Sequence, residues 1–323
     1  MSLSGGLLST RLYLRSSSRR KKQMSIKIQD VSKLYGDQRA LNDVSFSIPT
    51  GQVVGFLGPN GAGKSTMMKI ITCFIPATAG KVEVCGLDVM DNSIEVRKRV
   101  GYLPEHNPLY LDMYVKEFLM FIAGIYKLPN RKERVAEMIE KVGLSKEQHK
   151  KIGALSKGYR QRVGLAQAMI HDPEVLILDE PTSGLDPNQL VEIRELIKSL
   201  GKEKTVMLST HIMQEVEAIC DRVIIINNGN IVADGSPQDL SDRSSLSVLR
   251  VEFENEVFEN QLMLIEGVDR ADQVSKTEWI LQGSERVDLR KVVSKWANEQ
   301  GELILTLQQE KQNMEDIFKD LTK

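Results

Sequence analysis

The sequence predicts an α/β fold in which a parallel sheet carries helices on both faces, followed by a small α+β domain. A glycine-rich segment at residues 58–66 lies between an apolar run and a helix-like stretch. Strand-like runs then alternate with helical periodicity up to about residue 240, a pattern typical of parallel sheets. Beyond that point a serine-rich linker leads into shorter strands and helices, which indicates a second unit.

Composition excludes several classes of protein. The 323 residues suffice for about two domains. The net charge of −1 gives no overall field that would favour nucleic acid, so we expect no nucleic-acid partner. Cys73, Cys85 and Cys220 lack the spacing of metal ligands and favour reduced thiols. The longest apolar stretch, residues 118–126, is too short to span a bilayer, so any membrane function would depend on a partner.

The first 23 residues form a basic, serine-rich extension without acidic residues, which we expect to be unstructured. Such a composition superficially fits an organelle-targeting presequence. The favoured interpretation is a dispensable or wrongly assigned start, because a regular strand pattern opens at Met24. The six basic residues are Arg11, Arg15, Arg19, Arg20, Lys21 and Lys22.

Two alternating runs, residues 25–28 and 44–48, predict a small antiparallel element before the glycine-rich segment. Tyr35 lies in the turn that connects them. An aromatic ring at this point can either cover a sheet edge or stack on a nucleotide base, and the spacing alone leaves both interpretations open.

The glycine-rich segment has the pattern of a phosphate-binding loop. It follows a buried strand at residues 53–57 and opens a helix. Glycines let backbone N–H groups converge on a phosphate, while Lys64 can reach the outer phosphates and the Ser65 hydroxyl can bind Mg²⁺. The predicted nucleotide-binding residues here are Gly58, Pro59, Asn60, Gly61, Ala62, Gly63, Lys64, Ser65 and Thr66.

Helical spacing dominates the middle of the chain. Strands are predicted at residues 81–84 and 100–103, the second ending in Pro104-Glu105. From residue 111 to about 151 the apolar residues recur at helical spacing, with breaks at Pro129 and Gly143, so we predict an all-helical insertion at about residues 106–165 between two α/β halves. Its apolar segment, residues 118–126, is interpreted as core, with a docking patch as the alternative.

Carboxylates and a histidine follow the later buried strands. Strand 175–178 ends in Asp179-Glu180, and strand 205–208 leads to His211. Asp179 suits Mg²⁺ coordination and Glu180 suits a general base that orients water. Alone, the carboxylates would equally be ordinary strand-end residues, and a lone histidine after a strand is more often structural or exposed; the phosphate-binding loop upstream favours a hydrolytic site. Further helices are predicted at 188–200 and 213–220, and a strand at 223–226.

A helix-opening segment, residues 155–162 (LSKGYRQR), completes a set of motifs. Together with the phosphate-binding loop, Asp179-Glu180, the acidic turn at residues 183–186 and His211, it resembles the ATP-binding subunits of ABC transporters. The resemblance covers about residues 24–240. It implies a P-loop NTPase of ABC type with an antiparallel β subdomain and a helical insertion.

The resemblance also implies a mechanism. Two copies would pack head to tail around ATP and Mg²⁺, so that Ser156 and Gly158 of one copy contact the γ-phosphate bound by Lys64 of the other. A helix N-terminus is a suitable anion ligand, although an ordinary N-cap would also explain Ser156. Tyr35 would stack on the base, His211 would contact the γ-phosphate and the attacking water, Asp186 would join the nucleotide site, and Glu105 would assist the metal.

Three positions depart from the usual family pattern: Glu105 replaces glutamine, Lys157 replaces glycine and Tyr159 replaces glutamine. The departures at Glu105 and in residues 155–162 recur in the branch that serves ABC-2-type exporters. The whole chain, including residues 58–74, 82–89 and 314–318, resembles the gliding-motility-associated ABC transporter ATP-binding subunits of Bacteroidetes. This implies separately encoded membrane permease subunits, a peripheral position at the cytoplasmic face of the inner membrane, and a role in gliding motility.

Residues 241–323 are predicted to form a small α+β accessory domain without a catalytic constellation. Its predicted strands cover 249–253, 268–274, 279–281 and 303–307, and its predicted helices cover 256–265, 286–300 and 313–321. The motifs leave two other functions open for the whole chain. A soluble ABC ATPase acting on ribosomes or DNA is disfavoured by the single phosphate-binding loop and the absence of a heptad repeat. A non-transport regulatory subunit is disfavoured because Glu180 and His211 are both present.

Overall fold

A computed structural model describes residues 24–242, 246–284, 287–310 and 314–322. The expectations for residues 1–23 lie outside the described residues. The predicted fold class is confirmed: the structure is mixed α/β, with a parallel sheet, an antiparallel subdomain and a helical insertion. The division of the chain at residue 240 remains a prediction.

The elements follow one another in four groups. The first group comprises β1 (Met24–Tyr35), β2 (Gln38–Pro49), β3 (Val53–Leu57), α1 (Lys64–Ile71), β4 (Ala79–Val84), β5 (Leu87–Asp88), α2 (Ser93–Arg99) and β6 (Val100–Leu103). The second comprises α3 (Val115–Ile125), α4 (Arg131–Lys141) and α5 (Lys157–Met169). The third comprises β7 (Val175–Asp179), α6 (Pro187–Gly201), β8 (Thr205–Thr210), α7 (Met213–Ile219), β9 (Arg222–Asn227), β10 (Asn230–Gly235) and α8 (Pro237–Asp242). The last comprises β11 (Leu246–Phe253), α9 (Glu259–Leu262), β12 (Arg270–Gln273), β13 (Glu278–Ser284), α10 (Leu289–Gln300), β14 (Ile304–Glu310) and α11 (Met314–Thr322).

The central sheet has six strands in the order β10-β9-β3-β8-β7-β6, and only β10 is antiparallel to its neighbour. Strands β3, β7 and β8 are buried at every residue, since layers of structure cover both faces. Leu57 lies opposite Thr210, and Asp179 lies opposite Ser209. The carboxyl ends of these three strands therefore bring the predicted motifs to one edge.

The antiparallel subdomain has the strand order β2-β1-β4-β5. Strands β1 and β2 are longer than the predicted runs, with 12 residues each. Register shifts, one of them between Ile28 and Val31, interrupt the alternation on which the prediction depended. Tyr35 pairs with Gln38 across the tight turn, which fixes the ring beside the phosphate-binding loop.

The helical insertion differs from the all-helical prediction. Gly143 adopts a left-handed conformation and ends the second helix, and Leu144 donates its N–H to the Ile139 carbonyl oxygen. Turns, a short 3-10 helix and an isolated bridge between Tyr114 and Lys151 occupy the stretch from there to Ser156. The prediction was therefore wrong for residues 106–114 and 144–156, where the backbone forms turns and irregular structure rather than an α-helix.

The apolar segment at residues 118–126 has two faces. Phe118, Leu119 and Ala123 are buried in the core, as predicted. Phe121 and Ile125 are exposed, and the docking-patch alternative for these residues remains a prediction.

The third sheet has the antiparallel order β12-β13-β11-β14 and its own core, which includes Phe253, Trp279 and Val293. The predicted helix at 256–265 shortens to α9. Helix α11 packs against α7, α8 and β9, so the end of the chain returns to the central sheet. Ile317 is buried there, and Gln214 donates to Glu315 at 3.1 Å.

The sequence analysis missed five short elements: α2, β5, β10, α8 and the 3-10 helix Ile152–Ala154. Each has seven residues or fewer. No helix among the described residues is long and apolar enough to cross a bilayer.

Candidate active site

The phosphate-binding loop connects β3 to α1 in the strand–loop–helix arrangement that the sequence predicts. Gly63 has a φ of 109°, and a Cβ there would lie 2.6 Å from the Ala40 carbonyl oxygen. Only glycine fits this position, because the conformation is left-handed and the β2 backbone is too close. The loop is thus held against the antiparallel subdomain while its N–H groups remain near the N-terminus of α1.

Lys64 lies almost fully buried at the start of α1. Its Nζ donates to the carbonyl oxygens of Gly58 at 2.7 Å and Pro59 at 3.1 Å, and it lies 3.9 Å from Glu180 Oε1. Burial lowers the pKa of Lys64, and the nearby carboxylates, Glu180 foremost, oppose that shift. The ammonium is therefore positioned by the loop carbonyls and can be shared with an arriving phosphate.

Ser65 and Asp179 form a pair of oxygen ligands suitable for a hard cation. The Ser65 hydroxyl donates to Asp179 Oδ1 at 3.2 Å, and Asp179 is buried at the end of β7. Among the described residues there is no group of three or more His, Cys, Asp or Glu side chains that would hold a metal alone. A carboxylate plus a hydroxyl fits Mg²⁺, which usually retains waters and phosphate oxygens as its other ligands.

Ser209 supports this pair and was missed by the sequence analysis. Its Oγ donates to Asp179 Oδ1 at 2.5 Å and accepts the N–H of Glu180 at 3.0 Å. The side chain is fully buried on the neighbouring strand. One sequence signal was available: Ser209 is a hydroxyl residue at the end of a predicted buried strand, two residues before His211.

Glu180 and His211 lie in contact across the cleft. His211 Nδ1 is 3.0 Å from Glu180 Oε2 and 3.1 Å from Oε1. Burial raises the pKa of Glu180, and the hydrogen bond and charge of His211 and the charge of Lys64 oppose this shift. The arrangement sets a buried carboxylate, a histidine and a lysine around the edge where phosphates would bind.

The cleft at this edge has a volume of about 660 Å³. Tyr35 lies half-exposed at its rim, and Glu105 borders it from the loop before the helical insertion. The lining residues are Tyr35, Gln38, Ala40, Asn60, Gly61, Gly63, Lys64, Ser65, Thr66, Glu105, Glu180, Ser183 and His211. Gln38, Ala40 and Ser183 were not predicted as site residues. Gln38 and Ala40 carry no charge or motif that would have indicated them, whereas Ser183 begins the acidic turn at residues 183–186.

Three predicted loop residues lie behind the cleft wall. Gly58 and Pro59 contribute their carbonyl oxygens to Lys64, while Ala62 is buried in the core beneath the antiparallel subdomain. They shape the loop, and a direct contact with nucleotide remains a prediction.

Ser156, Gly158 and Asp186 do not line the cleft of the single chain. Exposed Ser156 caps α5 by accepting the Tyr159 N–H at 3.4 Å. Asp186 caps α6, accepting the N–H groups of two residues of that helix at 3.1 and 3.0 Å. The N-cap interpretation of Ser156 therefore holds in the single chain, and the contact with a second copy stays a prediction.

Lys157, a departure from the family pattern, extends toward the acidic turn rather than toward the cleft. A Cβ on Gly184 would lie only 2.2 Å from Lys157 Nζ, so the ammonium rests against that turn. Lys157 is not among the residues that line the cleft of the single chain.

Known family models and known proteins match most of this chain. A family model described as ABC transporter matches residues 41–183, and another described as an AAA domain matches residues 151–217. The ABC transporter ATP-binding protein NatA of Bacillus subtilis is 39% identical over 230 residues, which is 68% of this chain and 93% of NatA. The linearmycin resistance ATP-binding protein LnrL of the same organism is 33% identical over 311 residues, 92% of this chain and 98% of LnrL.

Solved structures of ATP-binding cassettes are also similar to this chain. A dimeric ATP-binding cassette in a post-hydrolysis state, bound to ADP and Pi, superposes with a TM-score of 0.60. It is 28% identical, and the match covers 65% of this chain and 98% of the cassette.

Proposed function

This chain belongs to the family of ABC transporter ATP-binding proteins, and we propose that it is the motor subunit that closes as a dimer around two MgATP molecules. It is an ATPase, as its relatives are. The observation that carries the proposal is the meeting of Lys64, Glu180 and His211 at the edge of the sheet where Ser65 and Asp179 also converge.

The proposed roles follow from these contacts. Lys64 neutralises charge on the outer phosphates, and the N–H groups of the loop cradle them. Ser65 and Asp179 would hold Mg²⁺, which would supply additional charge stabilisation on the phosphates. Glu180 accepts a hydrogen bond from the attacking water, and His211, which contacts the Glu180 carboxylate, also contacts the γ-phosphate and that water. Phosphoryl transfer to water requires mainly positioning and charge stabilisation, which this set provides.

The proposed dimer would complete the site. In the single chain the cleft contains no group from α5, although Ser156 is exposed at the N-terminus of that helix. We propose that Ser156 and Gly158 of a second copy cover the γ-phosphate, with Asp186 at the same interface. The dimeric state of the solved cassette supports this arrangement.

A second cleft is the observation that supports the proposal of a membrane partner. It has a volume of about 520 Å³ and lies between the central sheet and the helical insertion. Phe74 and Ile125 line it and are 71% and 60% exposed, which is unusual for large apolar side chains without a partner. Pro104 and His106, which flank Glu105, also line it. We propose that permease segments dock here, so that Glu105 connects docking to the nucleotide cleft.

The narrower parts of the proposal rest on sequence resemblance. A permease of the ABC-2 type, a role in gliding motility and a peripheral position at the cytoplasmic face of the inner membrane all follow from the family branch named above. The name of LnrL, a resistance protein whose match extends over the third sheet, supports export as the direction of transport.

Two measurements on the full chain test the proposal. Glu180→Gln should bind ATP, form an ATP-dependent dimer in light scattering, and lose hydrolysis by orders of magnitude. For the partner, Ile125→Glu should reduce co-purification of membrane subunits from the native host. Leu264→Glu is the matched control, since Leu264 is also exposed but lies on the C-terminal unit. Equal hydrolysis by Glu180→Gln and the native protein would contradict the ATPase site, and equal co-purification by the two glutamate variants would contradict the docking surface.

A further inference from the structure

Glu215 is a fully buried carboxylate on α7, outside the cleft lining. Its Oε2 accepts hydrogen bonds from the hydroxyls of Thr182 and Thr210, the latter at 3.0 Å. Its Oε1 has no hydrogen-bond partner within the part of the chain that the structure describes. A buried carboxylate with only hydroxyl donors costs folding free energy, so packing alone does not account for this side chain.

The two hydroxyl donors come from the two segments that carry the proposed catalytic pair. Thr182 lies two residues after Glu180, and Thr210 lies one residue before His211. The Thr210 hydroxyl also accepts the N–H of Ile212 at 3.1 Å, which fixes the backbone on the other side of His211. One carboxylate oxygen therefore joins the segment that follows β7 to the last residue of β8.

Glu180 and His211, which lie close in sequence to these two threonines, meet in the cleft. Glu180 and His211 are joined by contacts of 3.0 and 3.1 Å. From Glu180 the chain turns through bonds of Ser183 N–H to the Glu180 carbonyl oxygen at 3.2 Å and of Leu185 N–H to the Thr182 carbonyl oxygen at 3.3 Å. A shift at Thr182 would therefore move both Glu180 and the acidic turn that leads to Asp186.

We propose that Glu215 is a positioning residue: it holds the segments that carry Glu180 and His211 in the relative position that hydrolysis requires. This inference rests on the proposed roles of Glu180 and His211. A purely structural role for Glu215 predicts lower folded stability alone. The positioning role predicts in addition a lower kcat in folded protein that still binds ATP, because the binding residues on α1 do not depend on these hydroxyls.

The test compares kcat and KM for ATP in the full chain. Glu215→Met removes the acceptor while retaining much of the volume, and we expect kcat to fall about tenfold or more with KM changed by less than about threefold. Glu215→Gln retains an acceptor oxygen and should give an intermediate kcat. Glu217→Met on the exposed side of the same helix is the matched control and should match the native protein.

A double-mutant cycle separates positioning from general destabilisation. If Glu215 acts through Thr182, combining Glu215→Met with Thr182→Val should lower kcat no further than Glu215→Met alone. If Glu215→Met does not fold, Thr182→Val and Thr210→Val serve instead, and their effects on kcat should be non-additive.

Additive effects, or a native kcat in folded Glu215→Met, would overturn the inference. Glu180→Gln measured alongside distinguishes the two failures. Hydrolysis by Glu180→Gln would refute the catalytic roles themselves, whereas its loss together with a native kcat in Glu215→Met would refute only the positioning role.

Discussion

Ser209→Ala should damage the site from a fully buried position. The substitution removes the 2.5 Å hydrogen bond to Asp179 Oδ1 and leaves the Glu180 N–H without its 3.0 Å acceptor. A bond to a charged group contributes roughly 1.5–3 kcal/mol, and an unsatisfied buried group costs roughly 1–3 kcal/mol. Allowing for some relaxation, we expect the free energy of unfolding to fall by about 2–4 kcal/mol.

Two assays measure the effect of Ser209→Ala, one on unfolding and one on the Mg²⁺ dependence of hydrolysis. Both tryptophans, Trp279 and Trp296, lie in the unit of the third sheet, so their fluorescence reports on that unit. Far-ultraviolet circular dichroism in urea is the better measure for the central sheet. Because Ser209 orients the proposed Mg²⁺ ligand Asp179, the Mg²⁺ concentration for half-maximal hydrolysis should rise about tenfold.

Ser199→Ala is the matched control for both assays. Its hydroxyl is exposed on α6 and donates to the Leu196 carbonyl oxygen at 2.7 Å. We expect that variant to stay within about 0.5 kcal/mol of the native protein. The reasoning is refuted if Ser209→Ala resembles Ser199→Ala both in unfolding and in its dependence on Mg²⁺.

Three further predictions concern the base, the nucleotide and the C-terminal helix. Burial raises the pKa of Glu180 above the ordinary value of a glutamate, and the base must be ionised, so kcat should increase with pH through a pKa above that ordinary value; an acidic limb at or below the ordinary glutamate value would contradict this. Tyr35→Leu should raise KM for ATP about tenfold at unchanged kcat, and Tyr35→Phe should restore it; equal KM values in all three proteins would exclude stacking. Ile317→Ala should destabilise α11 by about 2 kcal/mol and increase amide exchange in α7, whereas the exposed-site control Leu305→Ala should not; unchanged exchange would contradict the packing.

Local motifs predicted the central part of the fold well. The phosphate-binding loop, Asp179 and His211 each follow a buried strand, and parallel strands bring such ends together whatever the intervening chain does. The strand order and the pairing of Asp179 with Ser209 required the structure, because register between distant strands is set by packing across the whole sheet.

Other features depended on interactions that periodicity does not report. The break at Gly143 was predicted, but the irregular fold of residues 144–156 was not, because it depends on a bridge between Lys151 and the distant Tyr114. In the sequence Glu215 is an ordinary polar residue of a predicted helix. Its two hydroxyl partners are visible only in the tertiary structure. The return of α11 to α7 is likewise a long-range contact that its own amphipathic pattern does not specify.

The central claim is that each hydrolytic site combines Lys64 of one copy with Ser156 of the other. The most direct measurement is the ATPase rate of an equimolar mixture of two inactive variants, Lys64→Ala and Ser156→Glu. In a head-to-tail dimer each mixed pair retains one site with both native residues, so random pairing predicts recovery of about a quarter of the native rate. If the mixture stays as inactive as either variant alone, Ser156 does not act across the dimer and the two-copy mechanism is wrong.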